Sequence, residues 1–410
     1  MTRLTPAQRH AFVACFLGWA LDAFDYFILV FAVKAIATDF HVQVTAVTVA
    51  ITLTLAMRPV GAAIFGWAAD RFGRRPTLMV NVVCYSALEL LSAAAPSLAV
   101  LLVLRALYGI AMGGEWGVGA ALALESVPVE QRGFFSGVLQ EGYMVGYLLA
   151  AIAFATVFPV WGWRGMFVVG ALPAVLVLYI RRNVPESPAW VQVRQARVAH
   201  KMTGVWHALR SHWGKFLYAV ILMTAFNSFS HGTQDLYPTF LQVNRHLTPR
   251  VISAIAIIGS LGAIAGGIAF GAFSERIGRR RAMITAALLA IPVVPLWAFA
   301  SGNLGLAAGA FLIQFMVQGA WGVIPVHLTE LAPDGARGTF PGLAYQFGNL
   351  LASGTATVQA VVAHRAHDSY AVALAGTAVT VALAVAAWTA LGTESKGIGF
   401  GRFAASGSLG

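Results

Sequence analysis

Apolar runs of about twenty residues recur along this chain, separated by short loops that hold most of its arginines. A run of that length matches the hydrocarbon core of a bilayer. It crosses as a helix, because an open sheet leaves its backbone unsatisfied in lipid. Twelve spans are predicted, at 11–35, 46–69, 77–96, 99–122, 135–158, 164–181, 214–237, 251–273, 282–300, 304–327, 340–363 and 369–391. Composition agrees. The chain is 59% hydrophobic and 10% charged, with a mean hydropathy of +0.75, whereas soluble domains carry about 25% charged residues. The expected fold class is all-α integral membrane. The opening MTRLTPAQRH is short and basic, and the run after it is too long and too studded with polar residues for a cleaved leader. Cys15 and Cys84 both fall in apolar segments, which supports neither a disulfide framework nor a metal site.

The net charge of +11 reports topology rather than nucleic acid. With both termini on one side, that side holds twenty of the 27 lysines and arginines, the other holds five, and Arg58 and Arg105 lie inside spans. By the positive-inside rule the termini are cytoplasmic. The longest loop, 182–213, is basic and divides the chain into 1–181, 214–395 and a short cytoplasmic tail, 396–410.

The two halves repeat. GWAADRFGRR at 66–75 returns as GAFSERIGRR at 271–280, and ESVPVEQRGFFSG at 125–137 returns as ELAPDGARGTFPG at 330–342. Both pairs stand 205 residues apart. A duplicated six-helix unit of this kind resembles the major facilitator transporters. The first block carries their loop motif between helices 2 and 3, with Gly66, Asp70, Arg71, Gly73, Arg74 and Arg75 all matching. VPESPAW at 184–190 and GTESKG at 392–397 look like the usual ends of helices 6 and 12. The resemblance implies twelve helices in two pseudo-symmetric six-helix halves around a central cavity. It also implies a cytoplasmic gate, for which the candidates are the motif residues with Glu125, Arg132, Glu275, Arg276, Arg279, Glu330 and Arg337. The alternative for the loop motif is a topology signal and loop structure alone.

The repeat also separates architecture from function. Asp22, Asp25, Arg58, Glu89, Arg105, Glu115 and Glu141 align with Asn227, Ser230, Ala263, Val294, Ala310, Ala320 and Gln346, so every deep charge of the first half is neutral in the second. Ionisable residues at membrane depth mark substrate or proton pathways. Asp22 and Asp25 share a face of helix 1. Arg105, Tyr108, Met112 and Glu115 form a stripe on helix 4, and Gln314, Gln318 and Trp321 form one on helix 10. The bland readings stand beside these. Asp22 or Asp25 neutralises Arg58 or Arg105 structurally, Glu89 and His327 are structural, and Glu115 bonds across the packing face of Gly109, Gly113 and Gly117.

A last stripe lies on helix 7, where Asn227, Ser230, His231, Gln234 and Asp235 share one face. N-x-x-S-H-x-x-Q-D-x-x-x-T is similar to the signature of the fungal lactate and pyruvate permeases, which belong with the sialate:proton symporters. GWALDAFDYF at 18–27 resembles helix 1 of the same group. The resemblance implies a proton-coupled importer of a small monocarboxylate that works as a monomer in a plasma membrane, such as a bacterial inner membrane. Its candidate substrate-binding residues are Arg58, Arg105, Tyr108, Asn227, His231, Gln234 and Gln318. The proton-coupling candidates are Asp22, Asp25, Glu115, Glu141 and Asp235. Its partners are a small organic anion, protons and lipid. The alternatives are a larger acid such as sialate and, more remotely, a non-transporting nutrient sensor. No catalytic motif, cofactor site or nucleic-acid interface is expected.

Overall fold

Thr5 stands just before Pro6 and three residues before Gln8. In the structure, a computed structural model, Thr5 Oγ accepts from the Gln8 N–H at 3.3 Å and Gln8 Oε1 accepts from the Thr5 N–H at 2.9 Å. This reciprocal cap starts helix 1, Pro6–Asp39. The structure describes residues 4–42, 44–200, 205–334, 336–367 and 369–398. Helix 2 runs Val44–Phe72, helix 3 Arg74–Ala93 and helix 4 Leu98–Ser126. Helix 5 is broken at Glu141 into Arg132–Gln140 and Gly142–Thr156, and helix 6 into Phe158–Val169 and Ala174–Asn183. The connection to the second half carries two short helices, Pro188–His200 and Val205–Ser211.

The second half follows the same plan. Helix 7 is Trp213–Gln234 continued by Tyr237–Val243, and helix 8 is Pro249–Ile277. Helix 9 is Arg279–Ala290 with Val294–Phe299, and helix 10 is Asn303–Gly322 with Ile324–Leu331. Helix 11 is Thr339–Ala352 with Thr355–Arg365, and helix 12 is Tyr370–Leu391. Among the described residues, ten stretches are long and apolar enough to cross a membrane. The expected spans outside that set, 214–237 and 340–363, fall on helices 7 and 11. Polar residues from Asn227 to Gln234 dilute helix 7, and a turn at Ser353 and Gly354 interrupts helix 11.

Glycine sets how the helices approach. Helix 2 packs along helix 4 as helix 8 packs along helix 10. Side chains added at Gly109 and Gly113 would run into the carbonyls of Thr54 and Arg58, and at Gly262 and Gly266 into those of Phe311 and Phe315. Contact at the backbone replaces the water-driven burial that is absent in lipid. The halves meet at two seams related by the same repeat, helix 2 against helix 11 and helix 5 against helix 8. Gly66 lies on Gly338 and Thr339 at one seam, and Gly271 lies on Gly133 and Gly137 at the other.

Gly113→Leu is expected to destabilise the protein by about 1–3 kcal/mol, read as earlier loss of monodisperse protein on heating. Gly214→Leu, where a side chain meets open space, is the control and leaves the melt unchanged.

Candidate functional site

At the end of the molecule that carries the basic loops, the repeated motifs close the two halves on each other. Gly73 and Gly278 take φ of 120° and 97°, so only glycine turns the chain there without strain. Helices 3 and 9 start at the next residue, with their first N–H groups unpaired within the helix. Glu186 accepts from the N–H of Arg74 at 3.0 Å, and Glu394 accepts from the N–H groups of Arg279 and Arg280 at 2.9 and 3.2 Å. Burial pushes the Glu394 carboxyl up, but the backbone N–H groups of Lys396, Arg279 and Arg280 outweigh it and hold the group below its ordinary value. Ser187 and Ser395, the next residues, donate to Glu125 and Glu330. The ES pairs at the ends of helices 6 and 12 therefore tie each half together.

The link between halves is reciprocal. Asp70 pairs with Arg74 at 2.9 Å and also accepts from the Gly338 N–H at 2.9 Å, the Thr339 N–H at 3.0 Å and the Thr339 hydroxyl at 2.7 Å. It thus caps helix 11 of the other half. Glu275 pairs with Arg279 at 3.2 Å and accepts from the Gly133 N–H at the start of helix 5. Arg74 reaches Glu125 at 3.1 Å and Arg279 reaches Glu330 at 3.2 Å. Arg132 donates to the carbonyls of Leu124 and Ile398, and Arg337 pairs with Asp334. Three gate candidates point elsewhere. Arg71 stacks on Trp67 and Phe72, Arg75 donates to the Arg181 carbonyl, and Arg276 lines a groove at the surface.

Deeper in the first half lies a cluster of four acids and two arginines. Asp22, Asp25, Glu89, Glu115 and Arg105 have no exposure, and Arg58 has 3%. Arg105 pairs with Glu89 at 2.8 Å, donates to Ser92 at 2.6 Å, and stacks against Tyr108 and Phe167. Tyr108 in turn meets Tyr85 of helix 3. The structure thus places Arg105 and Tyr108 against helices 3 and 6. Asp22 and Glu115 both interact electrostatically with Arg58, and the Glu115 carboxylate lies on Gly18 of helix 1. Asp25 interacts with Glu89, Asp22 and Arg105. Neither aspartate nor Glu115 has a hydrogen-bond partner.

Arg58 sits where the halves face each other. Its guanidinium lies 5.9 Å from the ring centre of Tyr345 on helix 11, and its Nε and one terminal nitrogen have no partner. Pro59, the next residue, lacks an N–H and so removes one helical bond at this level. Tyr345 also packs against Trp116 at 4.7 Å and Trp321 at 5.9 Å. Tyr26 and Tyr143 interact with both Arg58 and Asp235, bridging the first half to helix 7. On helix 7, His231 pairs with Asp235 at 3.1 Å and contacts Asn349 at 3.3 Å, and both side chains of the pair are about 40% exposed. Gln234 donates to Gln314 at 2.8 Å, and the Asn227 amide donates to the Met223 carbonyl at 2.8 Å. Gln318 is buried one turn beyond Gln314.

Sequence reasoning missed Tyr345, Trp116, Gln140 and Asn349. Trp116 donates to Gln140 at 3.3 Å and Trp321 donates to the Phe226 carbonyl at 3.2 Å. Trp116 and Trp321 stand 205 residues apart, and Gln140 and Tyr345 do also. The repeat therefore held a signal for this aromatic group, although aromatics on apolar helices read first as core.

Residues 15–357 match the family model described as Major Facilitator Superfamily. The chain is 29% identical over 388 residues to a "Carboxylic acid transporter protein homolog" of Saccharomyces cerevisiae, covering 89% of this chain and 63% of that one. It is 30% identical over 350 residues to the "Sialic acid transporter NanX" of Escherichia coli, covering 84% and 85%. Its fold resembles that of the proton:xylose symporter XylE, with a TM-score of 0.79, 18% identity, and coverage of 96% and 98%.

Asp70→Ala removes charge-assisted bonds of about 1.5–3 kcal/mol. It is expected to speed hydrogen–deuterium exchange at the amides of Gly338 and Thr339 by about 10- to 100-fold, measured by mass spectrometry of the peptide that spans them.

Proposed function

Because the chain belongs to the major facilitator superfamily, we propose that it imports a small monocarboxylate of the lactate or pyruvate class together with protons, by alternating access of one cavity between two six-helix halves. It is a multi-pass membrane protein. On this reading it sits in a plasma membrane, such as a bacterial inner membrane, as a functional monomer. The excess of basic residues in the loops beside the termini supports a cytoplasmic placement for both termini. The closed, basic end is then the cytoplasmic gate, and His231 and Asp235 line the outer mouth.

The observation that carries the reading is Arg58, a buried cation between the halves with unpartnered N–H groups. A carboxylate needs a cation or several donors, and guanidinium offers two parallel N–H groups. Arg105 is already paired with Glu89, which leaves Arg58 as the cation open to a ligand. Asn227, His231, Gln234 and Gln318 supply neutral donors on the facing helices. The tyrosine and tryptophan rings around Tyr345 enclose the short apolar part of such a substrate.

Proton coupling follows from counting charge. Four buried acids share two arginines, and an unpaired carboxylate at this depth is neutralised rather than left charged. A substrate carboxylate that takes Arg58 as its counter-ion deprives Asp22 and Glu115 of theirs. Protonation within the Asp22, Asp25 and Glu115 group restores neutrality, and the proton belongs to the coupled group rather than to one member. His231 and Asp235 then link binding to closure of the outer mouth.

The likeness to a protein named as a sialic acid transporter favours a second reading, a larger organic acid at the same arginine. Both readings are tested in liposomes with an inward proton gradient. Labelled L-lactate uptake is expected to be abolished by a protonophore and to be displaced by short acids more readily than by sialate. The reverse order of displacement selects the second reading. Arg58→Ala removes a charge-assisted contact and is expected to raise the apparent Kd about 10- to 100-fold. Normal uptake by Arg58→Ala defeats the carboxylate assignment.

A further inference from the structure

Glu141 lies apart from the acid cluster, at the break in helix 5 between Arg132–Gln140 and Gly142–Thr156. It is 3% exposed, and neither carboxylate oxygen has a hydrogen-bond partner. Its carboxylate lies on Gly267 of helix 8, so that a side chain on Gly267 would occupy the same space. The contact belongs to the glycine-packed seam between the halves, where Gly137 meets Gly267 and Gly133 meets Gly271. Ser136 joins helix 10 to the seam, donating to the Gly322 carbonyl at 2.7 Å and accepting from the Val326 N–H at 3.1 Å.

The surroundings offer this carboxyl no counter-charge. Helix 8 presents Gly267, helix 10 presents the Gln318 backbone beside Gly267, and helix 1 presents Trp19 against neighbouring Gly142. Helix 4 presents Trp116, which bonds to neighbouring Gln140 rather than to Glu141. Of the groups on those helices, Asp22, Asp25 and Glu115 belong to the cluster around Arg58 and Arg105, Glu125 pairs with Arg74, Glu275 and Glu330 pair with Arg279, and His327 bonds to Ser395. Among the described residues no charged group interacts with Glu141. Its repeat counterpart at the other seam is Gln346, a neutral side chain of the same length.

We infer that Glu141 is a second proton-binding site, in which the proton is bound while the helix 5–helix 8 seam is shut and released when that seam parts. An ionised carboxylate without a partner is costly against Gly267, so the shut seam holds the neutral acid. Parting the helices admits water and lets the group ionise. Proton release thereby favours the open seam, and rising pH shifts the molecule towards it, by at most about tenfold in the open-to-shut ratio per pH unit for one proton. The inference rests on the alternating-access reading, but it needs neither the proposed substrate nor the acid cluster on helices 1 and 4.

The test uses the full chain in lipid nanodiscs with Cys15 and Cys84 replaced by alanine. Nitroxides are placed at Glu130→Cys and Arg281→Cys, two exposed positions at the basic end of opposite halves. Distances are measured by pulsed electron resonance from about pH 5.5 to about pH 8.5, a range centred near neutrality. The expected result is a population at longer distance that grows with pH, persists in Asp22→Asn and is absent in Glu141→Gln. Because Gln346 occupies the matching place, the amide fits the fold. Glu141→Ala, which also removes the titrating group, serves if the amide variant does not purify as a single species. A pH-dependent shift that survives in the Glu141 variants overturns the inference, and so does its absence from the parent protein. Failure of lactate uptake with the shift intact counts against the proposed substrate alone.

Discussion

An ionised side chain inside a bilayer must find a partner, and this molecule is organised by where partners are supplied and where they are withheld. At the basic end the repeated acids are each answered by an arginine. Asp70 and Glu275 each pair with an arginine of their own half and accept from a helix start of the other. Those backbone N–H groups are unpaired within their helices and carry partial positive charge. The two carboxylates therefore bind most strongly when the halves are shut, and they lose that interaction when the halves part. A shut end held by polar contacts is reversible in a way that a purely apolar seam is not, because water satisfies the same groups once the seam opens.

In the middle of the membrane the rule is reversed. Asp22, Asp25, Glu115, Glu141 and two nitrogens of Arg58 have no hydrogen-bond partner. These are the positions at which the two halves of the sequence differ. Residues kept by both halves close the structure, and residues present in one half carry unspent electrostatic interactions. Glu89 and Arg105 are the exception in charge, an unshared ion pair at 2.8 Å with no exposure, although Arg105 keeps two nitrogens without a hydrogen-bond partner. Replacing either alone leaves a buried charge without a partner, which costs about 3–5 kcal/mol. The pair is accordingly part of the scaffold that holds helices 3 and 4 together.

Much of this was legible in the sequence, for identifiable reasons. The first helix was expected at 11–35 and runs Pro6–Asp39, because hydropathy marks the apolar part of a helix and not the polar turn that Thr5 and Gln8 cap. The paired contacts at the basic end fall on motifs repeated at one offset. The polar stripe on helix 7 was visible because five polar residues at helical spacing are conspicuous in an apolar run. The facing of helix 4 was not legible. Arg105, Tyr108 and Glu115 follow one periodic stripe, yet Arg105 and Tyr108 meet helices 3 and 6 while Glu115 meets helix 1. Periodicity defines a face relative to the helix axis. Packed helices cross at an angle, so one face passes from neighbour to neighbour along its length. The group around Tyr345 was hidden for another reason: an aromatic residue on an apolar helix is ordinary core until a cation is found beside it.

The two seams show what a duplicated fold gains from imperfect repetition. Both are built on glycines that bring backbones into contact, Gly66 and Gly338 at one and Gly133 and Gly271 at the other. Both are clamped at the basic end by equivalent carboxylates. A carrier that opened on identical seams would respond to solvent identically along both. Glu141 against Gln346 breaks that equivalence with one atom pair, an acid in place of an amide of the same length. The packing of the seam is almost unaffected by the exchange, because the two side chains have nearly the same volume. The acid can ionise where the amide cannot, in a place with no counter-ion. On the proposal made for Glu141, sensitivity to protons enters the inter-half contact without changing its shape.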